Sequence, residues 1–248
     1  LFGCARGGTD NNGNNPYTYF ENEPRTLDDY VEQMEHAVRT KIRENGSRSL
    51  KLAIAYERGL DFTDFDKAAA ARAFMEDTPD EGQKKAFADY IVDCLCKIAA
   101  KYNIPYQIHT GLGQLDKTNA MQLLPLIRRN PDTKFVLFHC SFPWSEDVLA
   151  LGHNFGNVYP DLCWLPLLST AAAEDFLARA LDTLDAHRLT WGCDTWTSEE
   201  SYGALLAIRE VLTTVLSKRV LDGTYTLEYA KKVGKYILHD NAQRLYGF

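Results

Sequence analysis

Two segments, Gln107-Ile108-His109-Thr110-Gly111-Leu112-Gly113 and Leu137-Phe138-His139-Cys140-Ser141-Phe142-Pro143, set the architecture of this chain. Each contains the end of a short apolar run, 105–109 and 134–139, that stops on a histidine and gives way to a loop. Runs this apolar predict strands buried on both faces, the habit of parallel strands covered by helices. The pattern recurs at 50–56 (Leu50-Lys51-Leu52-Ala53-Ile54-Ala55-Tyr56), 157–161 and 189–194. Helical periods fill the intervals. Thr26 caps a helix running to about residue 44 and stopped by Asn45-Gly46. A second helix over about 81–102 aligns Phe87, Tyr90, Ile91, Cys94, Leu95 and Ile98 in one stripe. Further helices are expected near 120–129, 171–186, 199–216, 227–238 and 240–246. Strand, loop and helix in alternation fit a doubly wound sheet or a (β/α)8 barrel.

The barrel is favoured by where the polar residues fall. His109, His139 and Asp194 each come last in a strand. Side-chain alternation groups Gln107 with His109, Phe135 and Leu137 with His139, and Thr190 and Gly192 with Asp194. Tyr106, Ile108, Val136, Phe138, Trp191 and Cys193 are then left for the outer helices. The three polar ends would meet at the carboxyl-end mouth where barrel active sites form. Five strands are visible in the sequence, and an eight-stranded barrel needs about three more. The chain also starts at Leu1, in what reads as the end of an element before the polar loop 7–16. We therefore expect residues 1–248 to be one barrel domain displaying about strands 4 to 8, with its N-terminal strands missing from this chain.

Composition narrows the function classes. The formal charge is −7 and no run of Lys or Arg exceeds two residues, so binding to nucleic acid by counterion release is not expected. No apolar stretch approaches the roughly 20 residues that cross a bilayer, and the first residues lack the pattern of a signal peptide. Six scattered cysteines without a CxxC pair fit reduced thiols. Cys94 and Cys96 point in different directions on one helix. The expectation is a cytoplasmic protein with a small-molecule substrate, with assembly into a homo-oligomer left open.

Two imidazoles and a carboxylate at equivalent strand ends are ligands for a borderline dication such as zinc. Together with Asn157-Val158-Tyr159-Pro160-Asp161, Gly192-Cys193-Asp194 and Asn241-Ala242-Gln243-Arg244-Leu245-Tyr246, the histidine motifs occur in the order seen in the amidohydrolase superfamily. The set resembles its metal-dependent hydrolase branch, which includes domains associated with glutamine-synthetase-like proteins. Lys51 and Ala55-Tyr56-Glu57-Arg58-Gly59-Leu60 are similar to that branch's fourth-strand segment. The resemblance covers about residues 50–248 and implies a (β/α)8 TIM barrel of amidohydrolase type. It implies His109 as a metal ligand closing strand 5 and His139, closing strand 6, as a ligand or a residue that orients substrate. Asp194, closing strand 8, would bind the metal and take the proton of its water. His139 and Asp194 are thus the catalytic candidates, with a divalent metal, zinc, as the expected cofactor. The implied reaction is attack of metal-activated water on a C–N or C–O bond of a small polar metabolite. Decarboxylation or sugar-acid isomerisation on the same site, and a metal-free ligand-binding barrel, are the alternatives.

One departure stands out. The family's strand-1 His-x-His pair has no counterpart, because none of the six histidines lie two apart. We expect that pair in sequence upstream of Leu1 rather than lost. Tyr56, Arg58 and Trp164 are the substrate-binding candidates. Arg58 either clamps a substrate carboxylate bidentately or is a solvated loop charge, and Trp164 and Trp196 either wall a pocket or pack as core. Lys51 is expected to face inward in a structural or substrate-facing role rather than bridging metals, with Ile54 and Tyr56 turned outward. Asp161 is a candidate acceptor for a histidine N–H. Cys140 and Cys193 should point away from the site, and His36, His153, His187 and His239 should take no part in chemistry. Tyr17, Tyr19 and Phe20 help close a site or form an oligomer interface.

Overall fold

Four parallel strands, β1 (Leu50–Leu52), β2 (Tyr106–His109), β3 (Phe135–Phe138) and β4 (Val158–Asp161), lie side by side in chain order. They are seen in a computed structural model that describes residues 15–248 together with Thr9 and Gly13. Most of the expected loop 7–16 lies outside the described residues. Helices α1 (Leu27–Asn45), α2 (Lys67–Met75) and α3 (Glu81–Lys101) flank β1, and α4 (Leu124–Arg129) and α5 (Ser145–Asn154) follow β2 and β3. After β4 come α6 (Leu165–Leu168), α7 (Thr170–Thr183), α8 (Ser198–Leu221), α9 (Leu227–Lys235) and α10 (Asn241–Tyr246). Sequential strands paired in parallel, each joined to the next through helix, form an arc of a (β/α)8 barrel. No helix among the described residues is long and apolar enough to cross a membrane.

The ladder register defines two faces. Lys51 pairs with Gln107, Gln107 with Val136, and Val136 with Tyr159; two residues on, His109 pairs with Phe138 and Phe138 with Asp161. These rows share one face, since neighbours in register point the same way. There Val136 and Phe138 pack with Cys163, Leu245, Tyr159 and Tyr246, and the Gln107 amide donates to the Tyr246 hydroxyl at 2.9 Å. The intervening rows, Leu52, Tyr106, Ile108, Phe135, Leu137 and Val158, are buried against the helices in the main core.

This register corrects the expected faces of β3. Phe135 and Leu137 turn to the helices, and Val136 and Phe138 turn to the inner face, the reverse of the prediction. A one-residue displacement exchanges the two faces of a strand, and β3 stops at Phe138 instead of continuing through His139. Two further strands are shorter than predicted. The segment 50–56 leaves the sheet after Leu52, and Ile54–Tyr56 forms a 3-10 turn. The segment 189–194 is not a ladder; among the described residues one bridge, Asp161 to Thr190, ties it to the sheet. Helices α2, α5 and α6 were not anticipated. α2 reads Lys-Ala-Ala-Ala-Ala-Arg-Ala-Phe-Met and is started by the Asp66 carboxylate accepting from the Ala68 N–H.

The loop after β1 is fixed by Asp89 of α3, whose side chain is wholly buried. Its carboxylate accepts from Arg58 Nη1 (2.8 Å), Lys85 Nζ (2.6 Å) and the backbone N–H groups of Thr63 (2.8 Å) and Asp64 (2.9 Å). Four donors on one carboxylate compensate its removal from water. Tyr17 and Phe20 pack around Tyr30, with ring centroids 5.9 and 5.2 Å from it, and so belong to the core beside α1 rather than to a site. Tyr19 is exposed beneath the Lys41 ammonium.

Candidate metal centre at the strand ends

His109 reaches the inner face directly as the last residue of β2. His139 does not, because alternation from Leu137 would aim it at the helices. Its backbone instead turns left-handed (φ 64°), as do Cys140 (45°) and Ser141 (55°), and this swings the imidazole back over the strand ends. Trp164 (φ 60°) and Asp194 (φ 49°) also have positive φ at the next two ends. Such backbone costs a non-glycine residue about 1–3 kcal/mol and concentrates where function demands it. Five such residues in three adjacent loops are therefore a pointer to the site that no strand pattern contains.

The result is a tight group. Nδ1 of His109 lies 3.0 Å from Nε2 of His139, and Asp194 Oδ2 lies 3.6 Å from that same Nε2. The other nitrogen of each ring faces a carbonyl: His109 Nε2 is 2.9 Å from Leu112 O, and His139 Nδ1 is 3.0 Å from Cys163 O. Carbonyl oxygens only accept, so those two nitrogens carry the protons. The facing nitrogens then present lone pairs to each other at hydrogen-bond distance, with a carboxylate beside them. Unless a cation lies between them, that contact is repulsive. The donor set of two neutral imidazoles and one carboxylate fits a divalent metal of the zinc type.

Electrostatics keep the imidazoles neutral. Burial is the main cause lowering His109 to about 4, helped by the Lys51 ammonium. Burial likewise lowers His139 to about 3, with His109 adding to it. Lys51 lies across the inner face, its Nζ 3.6 Å from Asp194 Oδ2 and 3.5 Å from the centre of the Phe138 ring. Burial pulls its pKa below the ordinary lysine value against the opposing pull of Asp194. Tyr56, carried in by the 3-10 turn rather than turned outward, sets its hydroxyl 3.5 Å from His109 Nδ1. Burial, then the Asp194 charge, raises that phenol's pKa. Trp164 stacks on His139 (centroids 4.3 Å, 18°), and its indole N–H donates to the Asp194 carbonyl.

Three expectations are corrected here. Arg58 neither clamps at this site nor is solvated: its guanidinium is held by Asp89, Asp61 and the Gly59 carbonyl. Asp161 is buried at the end of β4, but it accepts from the Cys163 N–H (2.9 Å) and the Thr190 hydroxyl (2.7 Å), not from a histidine. The histidine protons go to backbone carbonyls, acceptors that sequence reasoning does not consider. Trp196, at 86% exposure, neither walls the site nor packs as core. One neighbour was missed: Cys163, whose Sγ is 3.3 Å from His139 Nδ1. One donor atom each from His139, Cys163 and Asp194 lie within 4.8 Å of one another. Outside this group, His36, His153, His187 and His239 contact Glu21, the Thr183 carbonyl, Asp185 and Asp240 respectively.

The amidohydrolase family model matches residues 32–248, and the chain belongs to that family. Protein fluG of Emericella nidulans is 33% identical over 217 residues, which are 79% of this chain and 25% of that protein. Among solved structures, a Lactobacillus casei protein provisionally described as a metal-dependent hydrolase superposes with a TM-score of 0.74 at 21% identity, over 90% of this chain and 60% of that one. Uronate isomerase of Thermotoga maritima superposes at 0.71 with 18% identity, over 89% and 54% of the two chains. These likenesses show the fold, a TIM barrel of amidohydrolase type. The chain spans a quarter of the curated relative and between half and two thirds of these two solved chains.

Proposed function

We propose that this chain carries the site of a metal-dependent hydrolase acting on a C–N or C–O bond of a small polar metabolite. The observation that carries the reading is the proton-free contact of His109 Nδ1 with His139 Nε2 at 3.0 Å beside the Asp194 carboxylate. A divalent cation, zinc by the donor chemistry, would there lower the pKa of a water to about 7 and polarise a carbonyl. His109 and His139 hold their lone pairs inward because Leu112 O and Cys163 O fix their tautomers. Asp194 takes the proton of the attacking water. Trp164 and the Tyr56 hydroxyl line the approach, and the Lys51 ammonium favours a substrate with negative charge.

Sugar-acid isomerisation is the second reading. It is supported by the fold shared with uronate isomerases and by Lys51, which suits a sugar carboxylate. The deciding experiment combines metal analysis with product analysis against amide, lactone and sugar-acid libraries. Stoichiometric zinc, lost in His109→Ala, with products that have gained water supports hydrolysis. Products of unchanged mass support isomerisation, and absence of both metal and turnover leaves a ligand-binding barrel.

A further inference from the structure

We infer that Gly113 and Gln114 are positioning residues for His109: they clasp the loop after β2 to the turn after β1, and the clasp keeps the His109 proton on Nε2, so that Nδ1 is free for a cation. The inference rests on the metal-dependent reading above and deepens it with residues that act through the loop. Leu112, whose carbonyl lies 2.9 Å from His109 Nε2, stands between two glycines of positive φ, Gly111 (82°) and Gly113 (116°). A Cβ on Gly113 would lie 2.6 Å from the Ala55 carbonyl oxygen, and one on Gly111 would collide with the Phe142 carbonyl. Glycine permits both approaches and the backbone that makes them. Across the same seam the Gln114 N–H donates to the Ala55 carbonyl at 3.0 Å, and the Gln114 side-chain amide donates to the Glu57 carbonyl at 2.8 Å. Ala55 is wholly buried in the 3-10 turn Ile54–Tyr56, which makes that turn a firm anchor. The next residue, Tyr56, sets its hydroxyl 3.5 Å from His109 Nδ1.

The clasp decides between two tautomers of one imidazole. With Nε2 protonated, His109 donates to Leu112 O and presents a lone pair at Nδ1. With Nδ1 protonated, it would donate instead to His139 Nε2, 3.0 Å away, whose own proton is held on Nδ1 by Cys163 O. That second arrangement satisfies the histidine pair without a metal and puts a proton between the two nitrogens that face each other. What opposes it is the Leu112 carbonyl, which would lose its donor, and the tautomer follows whichever ring nitrogen has the better partner. Loosening the loop withdraws that carbonyl and lets the proton move to Nδ1. A cation must then displace the proton, which weakens its binding.

The test is long-range proton–nitrogen correlation spectra of the imidazoles in metal-free protein at neutral pH, which tell protonated from unprotonated ring nitrogens, together with zinc titration against a chelator. Gly113→Ala adds the colliding Cβ, and Gln114→Ala, at a half-buried position, removes one hydrogen bond without adding bulk. In the unaltered chain the His109 proton is expected on Nε2. In both variants it should shift toward Nδ1, while His139 keeps its own proton on Nδ1. Zinc affinity should fall by about tenfold to a hundredfold in Gly113→Ala, and by less than about tenfold in Gln114→Ala, the worth of one hydrogen bond. A role confined to folding would lower stability and leave the tautomer where it was. An unaltered chain with His109 protonated on Nδ1, or variants that keep the proton on Nε2, overturns the inference and leaves the hydrolase reading standing. A shifted tautomer with parental zinc affinity does the same. Absence of stoichiometric zinc from the unaltered chain overturns the metal-dependent reading, and the spectra then still decide whether the clasp sets the tautomer. If Gly113→Ala does not fold, Gln114→Ala decides.

Discussion

Replacing Lys51 by Met should tighten metal binding. The ammonium lies 3.6 Å from Asp194 Oδ2, so it occupies the charge that a cation needs. At an effective dielectric constant of about 20, two unit charges at that distance attract by roughly 4–5 kcal/mol. About a third of each side chain is accessible, and solvent screening reduces such partly exposed pairs to about 1 kcal/mol, or a little more for one so confined. Repulsion between the ammonium and an incoming dication acts in the same direction. Methionine keeps the length of the chain over the Phe138 ring without the charge. The expectation is zinc affinity raised by about tenfold, since 1.4 kcal/mol is one decade. Removing Lys51 also removes the second of the causes that lower His109, while burial, the first, remains. Competition titration of zinc with a chromophoric chelator, at pH 7.5 and moderate salt, measures the change. Unchanged affinity would refute the placeholder role, and weakened affinity would show that Lys51 contributes to holding the metal.

Two predictions concern stability. His109 and His139 fall from 6.5 to about 4 and about 3 on folding, so between those values and 6.5 the unfolded chain binds more protons than the native one. Their contribution is complete above pH 6.5 and is lost as pH falls, by about 1.4 kcal/mol per unit for each imidazole. Urea midpoints of metal-free protein should drop steadily from pH 6.5 to 4.5, a fall that His109→Gln and His139→Gln each make shallower; equal slopes in all three proteins would contradict the neutral pair. Asp89→Ala strips the common acceptor from Arg58, Lys85, Thr63 and Asp64 and leaves the two cations with the longer, half-exposed contacts to Asp61. It should cost about 3–5 kcal/mol in a denaturant titration, and a loss under about 1 kcal/mol would mean that the loop after β1 is held by something else.

How far the sequence foretold this arrangement depends on what each feature is made of. Apolar runs flanked by turns identify β2, β3 and β4, because burial on both faces leaves no choice of residue. The convergence of His109, His139 and Asp194 was expected from their place at the ends of the apolar runs 105–109, 134–139 and 189–194. The reason His139 converges is different from the one expected. Alternation would send it to the helices, and only the left-handed turn from His139 to Ser141 brings it back. Left-handed backbone at histidine, cysteine and serine has no compositional signal, unlike the glycines that usually mark it. Thr190 makes one bridge where a strand was predicted, because apolar patterning reports burial and not pairing. α2 escaped notice since four consecutive alanines give no contrast between faces. Cys163 was invisible for a related reason: it stands in no motif, and only the fold sets it beside His139.

Trp164 offers a way to separate the parts of the site, because its indole contacts two strand ends by different means. The ring stacks on His139 at 4.3 Å, and the N–H donates to the carbonyl of Asp194. Trp164→Phe retains an aromatic face and removes the hydrogen bond, worth about 0.5–1.5 kcal/mol. Trp164→Ala removes both and adds the loss of an aromatic pair, about 0.5–1.5 kcal/mol more. If the residue positions Asp194, Trp164→Phe should lower kcat by up to about tenfold with KM nearly unchanged, because the loss falls on proton transfer. If it only walls the substrate pocket, Trp164→Phe should behave as the parent and Trp164→Ala should raise KM alone. Positioning predicts one further sign: zinc affinity should drop in Trp164→Phe, since a freer Asp194 is a poorer ligand. Parental kcat and parental affinity together in Trp164→Phe would refute it, and the indole N–H would then serve only to satisfy a carbonyl left over by the left-handed turn at Asp194.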